Sequence, residues 1–254
     1  MTTSTYAPDA LRSLRESFAL HLDATRAPKT SRIYLDALDH LIAHLEAQGM
    51  PTAARSARRE HVESYLAARR DHVAPSTLSL EYRALVQFWK WAVEEDEIER
   101  SPMEKMRAPK VPDSPVPIVV ADDFKKLLHT TEGKDFTSRR DAAILLTLYD
   151  TGVRAGELLG LRLADVELRG RMTYVTGKGG HVRAVRFGAH TAVALDRYLR
   201  LRRAHRYADD PAFWLGQRGA IDYSTLAVML SKRSSAAGLP RIHCHQFRHT
   251  FAHE

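Results

Sequence analysis

Two short stretches of the chain carry side chains that could act together on an anionic group. They span residues 151–158, with Arg154, and residues 243–252, in which His245 precedes Arg248 by three positions. Residues at i and i+3 share a face on a helix, so this histidine and arginine should point the same way. Because guanidinium groups fork onto oxyanions, two arginines and a histidine that converge on one point would bind a phosphate.

The order and spacing of three motifs resemble the catalytic domain of the tyrosine recombinases, the phage integrases and their relatives. The chain reads Thr-Gly-Val-Arg-Ala-Gly-Glu-Leu from residue 151 and His-Gln-Phe-Arg-His-Thr-Phe-Ala from residue 245. Between them, Thr-Gly-Lys-Gly-Gly at 176–180 and the following residues 182–187 are similar to the family's lysine-bearing β-hairpin. The resemblance covers residues 119–254 well and the N-terminal part loosely.

The resemblance implies a role for each matching residue. Arg154 and Arg248 would clamp the scissile phosphate, and Lys178 would act as general acid to the leaving 5′-oxygen. His245 would be a hydrogen-bond partner of the phosphate and an acid–base helper. A carboxylate cannot stabilise a phosphate directly, so Glu157 is expected to orient His245 or an arginine through charge-assisted bonds. His249 is expected to support the site from behind.

The tyrosine nucleophile of the family has no counterpart that we can assign. The family places it, after a further His or Trp, beyond the His-x-x-Arg motif, whereas this sequence stops at Glu254 and none of its nine tyrosines follows Arg248. The sequence also stops within an amphipathic helix that could not yet bury its face. We therefore expect a chain cut before its nucleophile, which binds DNA but is inactive for cleavage by itself.

Charge and composition favour a polyanionic partner and exclude several classes of protein. The net charge is +7, and because residues 1–110 contain equal numbers of basic and acidic side chains, all of it lies in residues 111–254. The single cysteine, Cys244, excludes a disulfide framework. No apolar run approaches the ~18 residues of a membrane span, and the N-terminus has no signal-peptide pattern. We expect a cytoplasmic, nucleoid-associated protein of bacterial or phage origin.

The C-terminal histidines raise the question of a metal site. His245, His249 and His253 recur every four residues, a spacing at which two histidines can hold zinc. The glutamate of a His-Glu-x-x-His motif is absent, however, and Arg248 interrupts the cluster. We expect no metal, and the absence of a phosphate-binding Gly-rich loop predicts no nucleotide cofactor.

Hydrophobic periodicity predicts a mainly α fold with a small β-sheet. Four helices without an intervening strand predict a helical bundle, which the resemblance implies is a SAM-like, core-binding domain. The second helix is expected to be capped at Thr30 or Ser31, and the third to span Arg59–Arg70. A proline-rich stretch then predicts a linker at 109–118, between domains at 1–108 and 119–254. The second domain is expected to be mixed α/β, with strands at 172–176 and 182–187, a short strand at 212–215 and a last helix from His245.

Basic residues outside the motifs are candidates for DNA contacts. Around the third helix either a solvated charged face or a set of phosphate contacts is possible. The candidates are Arg55, Arg58, Arg59, Arg69 and Arg70, with His181 and Arg183 beside the predicted hairpin.

Taken with the resemblance, these residues predict a site-specific DNA recombinase. It would bind a specific duplex site, form a homo-tetramer on paired sites when full length, and exchange strands through a 3′-phosphotyrosyl intermediate. Two alternatives remain: a non-catalytic protein that occupies recombination sites, and a type IB topoisomerase-like enzyme that relaxes DNA. Strand exchange on a two-site plasmid distinguishes all three.

Overall fold

The computed structural model describes residue 7 and residues 9–112 and 117–253, except for the side chain of Lys178. The chain divides into two compact units, Met1–Ser114 and Pro115–Glu254. The point of division lies within the proposed linker, 109–118, of which residues 113–116 are outside the described part. Within the described ranges, no helix combines the length and apolar character that crossing a bilayer requires.

The first unit is a bundle of four helices. Its core is built from apolar and aromatic side chains at helical spacing, with Phe18, Phe88 and Trp89 almost fully enclosed. The third helix has the predicted bounds. The helices are α1 (Leu11–Thr25), α2 (Pro28–Ala47), α3 (Arg59–Arg70) and α4 (Pro75–Glu94).

The start of α2 corrects the predicted cap at Thr30 or Ser31. The helix begins at Pro28, after Ala27, and neither hydroxyl lies at the N-cap. Proline suits the first helical position because its fixed φ matches the helix and its missing N–H would have no partner there. Ser31 is instead buried one turn inside, where its hydroxyl donates to the carbonyl of Ala27.

The described residues of the second unit form six helices and two small antiparallel sheets. The mainly helical prediction, with two strands around a glycine-rich turn, is confirmed. The helices are α5 (Ala121–His129), α6 (Phe136–Thr151), α7 (Ala155–Leu159), α8 (Ala189–Arg202), α9 (Tyr223–Ala236) and α10 (Cys244–His253). The strands are β1 (Val166–Glu167), β2 (Met172–Thr176), β3 (Val182–Arg186), β4 (Leu215–Gly216) and β5 (Gly219–Ala220).

Strand register positions the glycine-rich turn. The first sheet has the order β1-β2-β3, and Val175 pairs with Arg183 in the antiparallel β2–β3 hairpin. The predicted strand at 212–215 is correct only at its end, where Leu215 enters the two-residue β4. Ala212 makes an isolated bridge to Arg162 instead.

Three long-range contacts join distant segments of the second unit. The hydroxyl of Thr250, on α10, accepts a hydrogen bond of 2.8 Å from the backbone N–H of Val119, 131 residues earlier. Asp150, near the end of α6, accepts from Thr191 at the start of α8. Phe247 is fully buried and packs edge-on against Phe124. α10 is thus anchored along its length.

Candidate active site

Arg154 stands at a sharp junction between two helices. α6 ends at Thr151, and Gly152 closes it in the left-handed region at φ 57°, donating its N–H to the carbonyl of Leu148. Glycine is suited to this position because other residues pay a steric penalty there. A Cβ at position 152 would also lie 2.8 Å from ring atoms of Phe251. Both the positive φ and the nearby Phe251 ring therefore favour glycine at position 152. The junction directs Arg154 away from the core.

Arg248 reaches the same junction from α10. Its Nη1 donates to the carbonyl oxygen of Gly152 at 2.9 Å, across 96 positions of sequence. Arg154 and Arg248 thereby line one cleft of about 560 Å³, and Arg183 from β3 lines it with them. The other lining residues are Thr151, Val185, Phe251 and Ala252. The convergence of two arginines that the sequence predicted is present, and a third arginine joins them.

Glu157 binds two of these arginines at once. Arg183 grips both carboxylate oxygens, with Nη1 to Oε1 at 2.7 Å and Nη2 to Oε2 at 2.8 Å. Arg154 donates its backbone N–H to Oε2 at 2.9 Å and its Nη1 to Oε1 at 3.0 Å. The carboxylate side chain is only 4% exposed, whereas the Arg154 side chain is 58% exposed. We call this cluster of Arg154, Glu157 and Arg183 the Glu157 clasp.

The Glu157 clasp keeps its carboxylate ionised. The hydrogen bonds from Arg183 are the largest influence, and with those from Arg154 they lower the pKa of Glu157 from 4.5 to about 2, although burial opposes the shift. Of the two predicted partners, His245 or an arginine, the structure gives Glu157 the arginines. Three arginines and one carboxylate leave the cleft with two positive charges in excess.

Arg183 has a role that the sequence did not indicate. It was predicted as a contact to DNA, but its guanidinium is bound to Glu157, 26 residues away. Neither periodicity nor motif spacing marks such a pair, because it forms only when β3 folds back beside the start of α7. Gly177, where β2 ends, packs over the clasp: a Cβ there would lie 3.6 Å from Oε1 of Glu157.

Lys178 lies in the turn of the hairpin that Arg183 holds. The turn is the 3-10 segment Lys178–Gly180, in which Gly179 and Gly180 both have positive φ. The Lys178 side chain lies outside the described part of the structure, so its predicted role stays a prediction. His181 follows the turn and is exposed.

His245 does not line the cleft with Arg248. Its exposed ring lies against that of His249, with centroids 4.5 Å apart and ring planes at 85°. The shared face was predicted for His245 and Arg248, but the structure brings His245 against His249 while Arg248 turns to Gly152. Within the described ranges, no three His, Cys, Asp or Glu side chains form a group that could hold a metal ion.

Comparison with known proteins identifies the family. The profile of the phage integrase family matches residues 118–254, which contain the whole cleft, and the profile of the phage integrase N-terminal SAM-like domain matches residues 16–96. The chain belongs to the phage integrase family. The predicted assignment to the tyrosine-type, site-specific DNA recombinases is confirmed, and so is the predicted fold class.

Individual relatives of this integrase agree with the family profiles. Tyrosine recombinase XerC of Xanthomonas campestris pv. campestris (strain B100) is 29% identical, with 98% of this chain and 78% of the relative covered. XerC of Salmonella typhi is 28% identical, with 99% and 83% covered.

Solved structures share the fold. A lambda integrase dimer bound to a COC′ core site has a TM-score of 0.74 at 17% identity, covering 96% of this chain and 69% of that one. XerH site-specific recombinase bound to a palindromic difH substrate has a TM-score of 0.72 at 18% identity, covering 96% and 72%.

The basic residues of the integrase's SAM-like unit differ in how freely they could meet a phosphate. Arg69 is committed to Glu81: its Nε donates to Oε2 at 3.0 Å, its Nη2 bonds Oε1, and Tyr65 donates to the same carboxylate at 2.8 Å. Arg59 pairs with Glu63 on its own helix. Arg70 is exposed and has no ion-pair or hydrogen-bond partner among the described residues.

Two further candidates of this unit, Arg55 and Arg58, precede α3. They donate to backbone carbonyls, Arg55 to Glu97 and Arg58 to Arg55, so their charges are not neutralised by a carboxylate in these bonds.

Proposed function

We propose that this integrase binds duplex DNA at a recombination site and holds the scissile phosphate between Arg154 and Arg248. One observation carries the proposal: arginines from two distant segments line one cleft. The cleft's two excess positive charges suit the reaction, because a phosphodiester carries one negative charge and its pentavalent transition state two. Positioned cations that meet such developing charge are usually the largest catalytic contribution.

The strand exchange follows the tyrosine recombinase scheme. A tyrosine hydroxyl gives its proton to His245, the acid–base helper, and its oxygen forms a bond to phosphorus. The bond from phosphorus to the 5′-oxygen breaks, and Lys178 gives that oxygen its proton. The 3′-phosphotyrosyl ester keeps the energy of the broken bond, so the second strand can be joined without a nucleotide. His245 donates a hydrogen bond to the phosphate, with His249 supporting its ring. Glu157 is a positioning residue for Arg154.

The remaining partners follow from the same proposal. The DNA backbone would be contacted by Arg55, Arg58, Arg59, Arg70 and His181. The two domains, residues 1–108 and 119–254, are joined by a linker at 109–118 and would bind one half-site together. We place a homo-tetramer on paired sites, supported by the lambda integrase, which is known as a tetramer bound to a Holliday junction. A cytoplasmic, nucleoid-associated location belongs to this proposal because the relatives named above are bacterial.

Strand cleavage by the recombinase with its tyrosine in place tests the clamp. On a nicked suicide duplex, Arg154→Ala and Arg248→Ala should each reduce the covalent protein–DNA complex by about 10²–10³-fold. Duplex affinity should change little, because binding is spread over many contacts. Arg200→Ala is the matched control, since its guanidinium pairs with Asp196 on the surface of α8. Full cleavage by either clamp variant would overturn the assignment.

Lys178 is tested by changing the leaving group. Lys178→Ala should slow cleavage of an ordinary phosphodiester by about 10²–10⁴-fold, since it removes the general acid. A 5′-bridging phosphorothiolate should restore most of the rate, because sulfur leaves without a proton. An equal defect on both substrates would remove Lys178 from this role.

A further inference from the structure

A second basic concavity lies in the catalytic unit, apart from the cleft. It has a volume of about 660 Å³ and is bounded by the β4–β5 hairpin, the first turns of α6 and one side of α9. We call it the hairpin pocket. Four of its lining side chains are basic and one is acidic: Arg140, Arg218, Lys232 and Arg233, against Asp141. None of the roles proposed above uses these residues.

The single carboxylate of the hairpin pocket is already saturated. Arg140 donates Nε and Nη2 to Oδ1 of Asp141 at 3.0 and 2.7 Å, and Arg233 donates Nε and Nη2 to Oδ2 at 2.9 and 2.8 Å. Arg140 also donates to the carbonyl of Leu215, which fixes it to the hairpin. One carboxylate shared by two arginines leaves a rigid wall with one positive charge in excess.

Two more cations on the rim of the hairpin pocket are free to bind a ligand. Arg218 lies in the β4–β5 turn and Lys232 on α9, and both side chains are exposed. Among the residues that the structure describes, neither has a hydrogen-bond or ion-pair partner. No carboxylate among the described residues offsets these two charges, so both are available to an external anion.

α6 relates the hairpin pocket to the active-site cleft. Arg140 lines the pocket and Thr151 lines the cleft. They are eleven residues apart on one helix, which is close to three full turns, so both lie on the same face about 16 Å apart. In a B-form duplex about 16 Å of axis spans roughly five base pairs. This face of α6 is buried in the core at Ile144 and Leu148, so the helix fixes the separation of the two concavities. A duplex that spans both openings with one phosphate in the cleft would present another phosphate to the pocket.

We propose that the hairpin pocket is an anchor for a backbone phosphate of the same duplex whose scissile phosphate occupies the cleft. The inference rests on the proposed function, since it needs DNA as the partner. Arg218 and Lys232 make the contact, and the Arg140–Asp141–Arg233 wall supplies a fixed positive field behind it. Such a contact carries no base sequence and sets the position of the catalytic unit along the DNA.

The salt dependence of DNA binding tests the anchor with the 254-residue chain. A fluorescently labelled duplex of random sequence is titrated by anisotropy over a series of salt concentrations. Each phosphate contact contributes close to one to the slope of log K against log salt, so Arg218→Ala and Lys232→Ala should each lower the slope by about 1. At 0.1 M salt each should weaken binding roughly five- to tenfold.

Control variants separate the pocket from charge in general. Arg218→Lys keeps the charge and should keep the slope. Arg200→Ala removes a paired cation from α8 and should leave the slope unchanged. Equal melting temperatures for all variants would show that they fold alike.

The outcomes separate the two proposals. Absence of salt-dependent binding by the unsubstituted chain would overturn the proposed function itself. Salt-dependent binding whose slope is the same in Arg218→Ala, Lys232→Ala and the unsubstituted chain would overturn the anchor alone.

Discussion

Each unit of this integrase contains one buried glutamate gripped by arginine, and the two clusters serve different ends. In the helical unit, Glu81 receives Arg69 and the hydroxyl of Tyr65, which joins α3 to α4. In the catalytic unit, Glu157 receives Arg183 and Arg154, which joins β3 to the start of α7. Both carboxylates are nearly inaccessible, at 9% and 4% side-chain exposure.

The difference lies in the number of cations and in what they face. Glu81 has one arginine, which it neutralises, and His40 lies 3.5 Å from its carboxylate. Glu157 has two arginines and so cannot neutralise both, and each of them lines the cleft. The same kind of ion pair therefore joins two helices in the helical unit. In the catalytic unit it positions arginines whose positive charge exceeds that of the carboxylate.

Removing each carboxylate charge in turn should separate these two functions. Glu157→Gln should reduce suicide-substrate cleavage about a hundredfold, because Arg154 loses the group that orients it. Glu81→Gln should leave cleavage within about twofold at a temperature where the protein is folded. Both should cost roughly 1.5–3 kcal/mol of unfolding free energy, measured by urea denaturation, since each weakens the charge-assisted hydrogen bonds of a buried carboxylate. Equal cleavage by the two variants would erase the distinction.

A side chain added to the backbone near the Glu157 clasp should destabilise the catalytic unit more at Gly152 than at Gly156. Gly152→Ala should destabilise the catalytic unit by about 3 kcal/mol, since the new methyl group meets both an unfavourable φ and the Phe251 ring. Gly156→Ala is the matched control, because a Cβ there has no neighbour within 4 Å. The control should be neutral or stabilising by up to about 1 kcal/mol, as expected within a helix. Thermal melts of the two variants that coincide would contradict the crowding argument.

Acid should reveal the Glu157 clasp as a difference between variants. A carboxylate whose pKa is lowered in the folded state stabilises fully above its unfolded value and loses that contribution as pH falls through the folded value. For Glu157 the window runs from about 4.5 down to about 2, and the contribution is roughly 3 kcal/mol. Unfolding free energies measured against pH should fall less steeply in Glu157→Gln across this window. Parallel curves would show that the clasp does not lower the pKa.

The smallest expected effect concerns two adjacent arginines in the helical unit. Arg70→Ala should lower the salt slope of DNA binding by about 1, because its side chain is free to meet a phosphate. Arg69→Ala should leave the slope unchanged while destabilising the bundle, because the Arg69 guanidinium is paired with the carboxylate of Glu81. Gel shifts over a salt series measure the first effect and thermal melting the second. A lower slope for Arg69→Ala would return it to the DNA-binding set.

Local signals in the sequence were enough for most of the helices and for the convergence of Arg154 and Arg248 on one cleft. α3 was predicted to the residue because its apolar positions repeat at helical spacing between polar ends. The start of α2 was misplaced because the hydroxyls of Thr30 and Ser31 suggested an N-cap, whereas the helix already begins at Pro28. β1 escaped notice because two residues carry no alternation.

The parts of the site that escaped prediction are long-range ones. Arg183 could not be paired with Glu157, nor Arg248 with the carbonyl of Gly152, since each bond depends on tertiary folding between segments 26 and 96 positions apart. The position of His245 against His249 shows the limit of the helical-face argument. A shared face makes a contact available, and neighbouring side chains decide which contact forms.

The hydrogen bond between Val119 and Thr250 couples the local stability of the segment at residue 119 to that of α10. It joins the segment by which the chain enters the unit to α10, the helix that bears Arg248. The bonded residue of α10 lies two positions after that arginine. Local opening events usually begin where few contacts must be broken. Because residues 119 and 250 are bonded to each other, an opening of either segment loosens the other. Loss of the entry segment and release of Arg248 become one cooperative step rather than two independent ones.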